Sequence, residues 1–174
     1  MLIPTEEYAR YGLDATDAGL PKRLDAIEHT IRTVTRNRFQ VRGARIEAAS
    51  EGGVLLGAFP LIGVGDTVQL TCSAANDGLY VVRAVGEGIM RFDRELADEP
   101  RNRVTLVRYP ADVVMGAVGM LEYDLAAPKR NAGIASETLS RRSVTYRAPG
   151  AADSFAGYPL EVTAFLRPYM RACF

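Results

Sequence analysis

The centre of this 174-residue sequence reads Asp66-Thr-Val-Gln-Leu-Thr-Cys72 and, after Asn76-Asp-Gly78, Leu79-Tyr-Val-Val-Arg83. Both runs are short and rich in β-branched and aromatic residues, which is typical of strands. The Asn-Asp-Gly segment between them is a turn signal. The pattern therefore predicts two antiparallel strands joined by a tight hairpin turn at Asp77-Gly78. Cys72 is interpreted as a small apolar residue within the first of these strands.

The β pattern extends on both sides of this pair. Similar short runs occur at 54–56, 89–92 and 104–107, and Gly63-Val-Gly65-Asp66 and Gly86-Glu-Gly88 separate them as turn signals. Five or so short antiparallel strands predict a small β-barrel or sandwich. We assign this module to residues 40–109.

Helical periodicity precedes the β module. A short first helix begins at Pro4-Thr-Glu-Glu7 and stops by Gly12, and a longer helix is predicted over 20–39. Pro21 suits the first turn of this longer helix, where its missing N–H is tolerated. The apolar stripe of the helix consists of Leu20, Leu24, Ile27, Ile31 and Val34. Its opposite face carries Lys22, Arg23, Arg32 and Arg36.

Helical periodicity also resumes after the β module. A second long helix is predicted over 110–130, and a last one over 158–171, which Pro168 should bend or end. The stripe of the second helix consists of Val114, Ala117, Val118, Leu121 and Leu125. The predicted fold class is therefore mainly α: a small helical core from 1–39 and 110–174, with the antiparallel barrel or sandwich module inserted at 40–109.

The charge is balanced overall but uneven along the chain. Lys plus Arg and Asp plus Glu are both 21, which argues against a dedicated nucleic-acid-binding protein. Residues 1–19 carry four acids and one arginine (−3), whereas residues 20–39 carry five bases and two acids (+3). Such patches suit docking against another copy or a partner, although charge alone favours the interpretation that they are solvated faces.

No set of residues predicts catalysis. His29 is the only histidine, no serine has a base at a recognisable spacing, and the glycines at 63 and 65 lack the remainder of a phosphate-binding motif. The two cysteines have no metal-ligand spacing. We therefore expect no enzyme activity, no cofactor and no metal. Neither a signal peptide nor an apolar run of membrane-spanning length is predicted.

The last quarter of the chain carries a resemblance. It contains Ile134-Ala-Ser-Glu-Thr-Leu139, Ser143-Val-Thr-Tyr146, Gly157-Tyr-Pro and Leu166-Arg-Pro-Tyr169, after two long helices. Together these features resemble the head–tail connector (adaptor) proteins of long-tailed bacteriophages, over residues 1–38 and 110–174. The β module is similar to one in larger members through Val64-Gly-Asp66, Asn76-Asp-Gly-Leu-Tyr80 and Asp93-Arg-Glu-Leu96.

The resemblance implies a structural protein of the virion, assembled in the host cytoplasm. Connectors form a closed ring of about twelve copies under the portal, with a different patch on each side of every subunit. The ring extends the channel through which DNA passes without sequence-specific binding, and it offers a platform to the tail or to a stopper protein. The implied partners are the chain itself, the portal protein and the tail or stopper protein, with no membrane and no catalytic residues.

Candidate interface residues follow from charge and from the resemblance. Pairing of the acidic N-terminus with the basic helix would use Arg32 and Arg36. The arm at 136–146 would contribute Arg141, Arg142 and Tyr146, and the docking end of the last helix would contribute Arg167, Tyr169, Arg171 and Phe174.

Two alternatives stay open. A tail-completion or tail-terminator protein would also form a ring, attached on the tail side. A helical scaffold that carries a small ligand-binding β module is a different class, although the module has no tryptophan and few aromatic residues for stacking: Phe59, Tyr80 and Phe92.

Overall fold

The computed structural model describes residues 2–126, 136–139, 142–145 and 154–171, with the backbone alone at 136–139 and 142–145. A 3₁₀ helix (Thr5–Tyr11) comes first, and Gly12 ends it in the left-handed conformation, with φ of 69°. The remaining elements, in chain order, are α1 (Leu20–Thr35), β1 (Gln40–Glu51), β2 (Val54–Leu56), β3 (Thr67–Thr71), β4 (Gly78–Gly86), β5 (Ile89–Phe92), β6 (Glu99–Val107), α2 (Ala111–Ala126), β7 (Ser136–Leu139), β8 (Arg142–Thr145), β9 (Ser154–Phe155), β10 (Tyr158–Pro159), α3 (Leu160–Thr163) and a C-terminal 3₁₀ helix (Ala164–Tyr169).

Strands β1 to β6 form a closed antiparallel barrel in the order β1-β2-β5-β4-β3-β6. β6 pairs with β1 from Gln40↔Val107 to Ser50↔Glu99 and so closes the barrel. Glu87-Gly88 joins β4 to β5, and both residues have positive φ, 50° and 79°. Positive φ at both central positions is the requirement of a two-residue type I′ turn, whose twist matches that of the flanking strands.

The barrel encloses its own hydrophobic core. Alternate residues of each strand point inward, and several of them, including Leu55, Val68 and Leu70, are completely buried. The rings of Tyr80 and Phe92 lie 5.2 Å apart in this core. Burial of this many apolar side chains supplies the main stabilising free energy of the module.

A buried polar network lies at the end of β1 remote from Gln40. Asn76, in the loop before β4, donates from Nδ2 to the Asn102 side-chain oxygen at 3.0 Å and to the Ala97 carbonyl at 2.9 Å. Its own side-chain oxygen accepts the Ala97 N–H at 2.9 Å. Ser50 Oγ completes the network by donating to Ala97 O at 2.6 Å. The network ties the loop before β6 to β1 and β6.

The helices form a second core beside the barrel. Leu24, Ile27 and Ile31 of α1 pack with Ala117 and Leu121 of α2. Leu166 of the C-terminal 3₁₀ helix joins this cluster and is fully buried. The N-terminal residues Leu2, Ile3 and Tyr8 and the strand-end residues Phe39 and Val107 belong to it as well.

The prediction of a mainly α fold is wrong. Helix and strand make up nearly equal shares of the described part of the chain, 34% and 32%. Two effects account for the error. α1 ends at Thr35, short of the predicted end at Phe39, and the last predicted helix is divided into α3 and a 3₁₀ segment that contains Pro168. In addition, β1 is a twelve-residue strand that the pattern did not predict, since its charged, Ala and Gly residues conceal the alternation.

Two local predictions in the β region also need correction. Cys72 lies just beyond β3, is exposed and has φ of 63°, so it is no interior strand residue. Asp77-Gly78 is no two-residue hairpin turn, because β3 ends at Thr71 and a longer loop leads to β4. Asp77 instead accepts the Ser73 N–H at 3.0 Å within that loop.

Candidate functional site

Arginine side chains converge on one cleft where α1, β1 and the C-terminal end of the described chain meet. The cleft has a volume of about 390 Å³. The residues that line it are Arg36, Asn37, Arg38, Gln40, Arg42, Arg45 and Arg171. We call this set, five arginines and two amides, the arginine cleft.

Backbone contacts bring these arginines together. Arg36 ends α1 with a left-handed φ of 52°, which turns the chain toward β1. The Arg171 N–H donates to the Thr35 carbonyl at 2.9 Å and thereby fixes the C-terminal segment over the same helix end. Helix C-termini carry a partial negative charge that favours cations. The fold therefore places residues from three separate elements around one space.

The charges of the arginine cleft are unbalanced. None of its five arginines forms an ion pair with any carboxylate in the described part of the chain, where the ion pairs join Glu6 to Arg83 and Glu47 to Arg101 and Arg103. One of the five, Arg45, reaches the Gln40 side-chain oxygen at 3.5 Å, the outer limit of a hydrogen bond. Clustered like charges repel one another, so this surface favours an anion.

Arg32 lies outside the arginine cleft and is used within the chain. Its guanidinium donates to Gln69 Oε1 of β3 at 2.7 Å and to the Tyr109 hydroxyl at 3.1 Å. The Tyr109 hydroxyl in turn donates to the buried Glu28 at 2.7 Å. Burial, and secondarily the charge of Glu28, raise the pKa of Tyr109 above its ordinary value. Arg32 therefore links α1 to the barrel.

Neutralising Arg32 and Arg36 separately should have different effects on stability. Arg32→Gln should lower the free energy of unfolding by about 2 kcal/mol, because it removes charge-assisted hydrogen bonds. Arg36→Gln, an exposed change four residues along the same helix, should cost less than about 0.5 kcal/mol. Urea denaturation followed by circular dichroism measures both. Equal effects of the two substitutions would show that the Arg32 contacts contribute no net stability.

The predicted docking end is only partly free. Tyr169 donates its hydroxyl to both carboxylate oxygens of Asp112 at 2.8 Å, and its ring centroid lies 5.8 Å from that of Phe39. This residue attaches the C-terminal segment to α2. Arg167 is exposed, and Arg171 lines the arginine cleft. Arg167 thus remains available for contacts with another molecule.

The predicted arm is described by its backbone. β7 and β8 pair antiparallel from Ser136↔Thr145 to Leu139↔Arg142 and form a two-stranded sheet of their own. Arg142 ends this pairing. Arg141, Tyr146 and Phe174 lie outside the described residues.

Sequence reasoning selected two residues of the arginine cleft, Arg36 and Arg171, and missed Arg38, Arg42 and Arg45. The signal that could have identified them is the high density of arginine in the sequence. Four arginines fall within the ten-residue segment Arg36-Asn-Arg-Phe-Gln-Val-Arg-Gly-Ala-Arg45. The segment crosses from a helix into an unpredicted strand, so no single periodicity showed that these side chains share a face.

Other kinds of site have less support in the described ranges. No three His, Cys, Asp or Glu side chains there are grouped so that they could hold a metal ion. Among helices within those same ranges, none has the length and apolar character needed to cross a membrane.

No protein-family model matches the chain, and no curated protein matches it at a significant level.

Proposed function

We propose that this protein is a head–tail connector subunit of a bacteriophage or prophage, which assembles into a ring at the portal vertex and extends the DNA channel. The observation that carries the proposal is the hairpin formed by β7 and β8, which pairs with no other described strand. In the sequence this hairpin lies between α2 and α3, and both helices contribute to the helical core. Its position coincides with the arm motifs that resemble the connector family.

An isolated two-stranded hairpin is marginally stable in water. Both outer edges of this hairpin lack a strand partner among the described residues, and unpaired N–H and C=O groups are a template for pairing with another chain. Addition of a strand to such an edge is a recurring mode of recognition. A neighbouring subunit or the portal protein would supply the missing strand and offset the cost of ordering the arm.

The closed barrel is packed with the protein's own side chains. Its interior is filled by side chains such as Leu55, Val82 and Met90, which are fully buried. A packed interior of this kind leaves no room for an enclosed ligand, in contrast to barrels that hold one. This weighs against the alternative of a ligand-binding β module.

The proposal is tested by native mass spectrometry of the full chain, alone and mixed with its portal protein. We expect a closed assembly of about twelve subunits, alone or with the portal. Val144→Pro should abolish at least about nine-tenths of this assembly, because proline removes a ladder N–H and is tolerated poorly in a paired strand. Val144→Thr keeps the N–H and the β-branched shape, and it should assemble like the wild type.

Two results would overturn the proposal. One is a monomer that never binds the portal. The other is full assembly of the Val144→Pro variant, which would remove the arm from the interface.

A further inference from the structure

We infer that the arginine cleft is a binding site for nucleic-acid phosphate and takes the backbone of duplex DNA. The inference rests on the proposed function only in taking the DNA of the channel as the source of the phosphate.

The chemistry of the lining favours phosphate. A guanidinium group presents a planar fork of donors that matches the oxygens of a phosphate or a carboxylate. Five such forks line one cleft here, and Asn37 can also donate from its side-chain amide. The Gln40 amide already donates to Gln69 Oε1 at 3.1 Å. Within the described part of the chain, no acidic side chain lines the cleft. The arrangement therefore suits a ligand with several closely spaced negative charges.

The polar lining formed by the described residues favours a nucleic acid over a protein surface. Arginine is enriched in protein interfaces too, but there it accompanies an apolar centre with aromatic anchors. All seven residues that line the arginine cleft are polar. Phe39, the aromatic residue within the lining segment, does not face the cleft as a docking surface. It is buried and packs against Tyr109, with a distance of 4.9 Å between the ring centroids.

The same lining offers no surface on which an unpaired base could stack, as far as the described residues show. Single-stranded nucleic acids are bound through stacking of bases on aromatic rings, and no ring among the described residues lines the arginine cleft. The lining therefore favours a duplex over a single strand. Contact with phosphate alone positions a duplex without reading its sequence. The zero net charge of the chain is compatible with such a contact, since the positive charge is local rather than global.

The experiment measures binding of a fluorescein-labelled duplex of mixed sequence, about 20 base pairs long, to the full chain by fluorescence anisotropy, at salt concentrations from about 25 to 200 mM. Five phosphate contacts should give a slope of about −4.5 in a plot of log K against log salt concentration, since each contact contributes about −0.9. Arg38→Gln/Arg42→Gln should reduce this slope to about −2.7 and weaken binding at low salt at least about tenfold.

A matched control removes two exposed arginines elsewhere. Arg10→Gln/Arg91→Gln makes the same change in net charge on the N-terminal 3₁₀ helix and on β5, and it should leave the slope unchanged. Equal losses in the two double variants would overturn the inference, because binding would then follow net charge and not the cleft.

A competitor separates phosphate from carboxylate. Poly-glutamate of matched charge should displace the labelled duplex much less effectively than unlabelled duplex does. Equal displacement would overturn the inference and assign the arginine cleft to an acidic protein surface. A protein that forms the ring but does not bind DNA would refute this inference and leave the proposed function standing. A protein that binds DNA but never assembles would refute only the proposed function.

Discussion

Asn76→Ala should lower the free energy of unfolding of the barrel by about 3 kcal/mol. The substitution leaves the Ala97 N–H and the Asn102 side-chain oxygen without the partners that Asn76 now supplies at 2.9 and 3.0 Å. Asn76 and Asn102 are almost completely buried, and each buried polar group without a partner costs about 1 to 3 kcal/mol. For a chain of this size the thermal midpoint should fall by roughly 6 to 12 °C.

The control for this prediction is Thr71→Ala, a polar-to-alanine change at a half-buried position on β3 in the same barrel. It should change the free energy of unfolding by less than about 0.5 kcal/mol. Hydrogen exchange gives a second reading, since the Ala97 amide should lose its protection in the Asn76→Ala variant. A loss of stability no larger than that of Thr71→Ala would contradict the prediction.

Gly116→Ala should destabilise the helical core by about 2 kcal/mol, although alanine is the better helix former. A methyl group on Gly116 would lie 2.4 Å from Cε1 and 2.5 Å from Cδ1 of Phe165. The ring would have to move, and overpacking of this kind costs about 1 to 3 kcal/mol. Because Phe165 belongs to the C-terminal 3₁₀ helix, we expect this segment to lose its packing against α2.

Gly119→Ala provides the matched control, one turn further along α2. Apart from its chain neighbours and the backbone of its own helix, a methyl group there meets no described atom within 4 Å, so the substitution should stabilise the protein by up to about 1 kcal/mol. Urea denaturation of both variants checks the pair, and Gly116→Ala/Phe165→Leu should recover part of the loss. Equal stability of Gly116→Ala and Gly119→Ala would mean that the ring yields without cost.

The helices were predictable where one face alone is buried. In α1, Leu20, Leu24, Ile27 and Ile31 are buried at the predicted helical spacing. α2 was harder to predict, because apolar residues occur on several of its faces. Val113 and Met120 are buried outside the predicted stripe, while Leu125, which belongs to that stripe, is 42% exposed. A helix that packs on more than one side gives no single stripe to predict.

The barrel was only partly predictable for a different reason. β-branched runs indicated most of its strands, whereas β1 was missed, although it pairs with both β2 and β6. Closure depends on long-range pairing that no local pattern contains. The arginine cleft is built on the same unpredicted strand, so the sequence could not bring Arg42 and Arg45 together with Arg171.

The Gln40↔Val107 pairing has an evolutionary consequence. The chain enters the barrel at Gln40 and leaves it at Val107, and these two residues face each other in one antiparallel pair. Their Cα atoms are therefore about 5 Å apart. A segment with adjacent ends can be acquired or lost in one genetic event, because the host helices need to bridge only that short gap and the added length costs little loop-closure entropy. The barrel sequence is thus free to diverge faster than the sequences of α1 and α2. Gln69 is among the positions where such divergence would be restrained, because its side chain is hydrogen-bonded to Arg32.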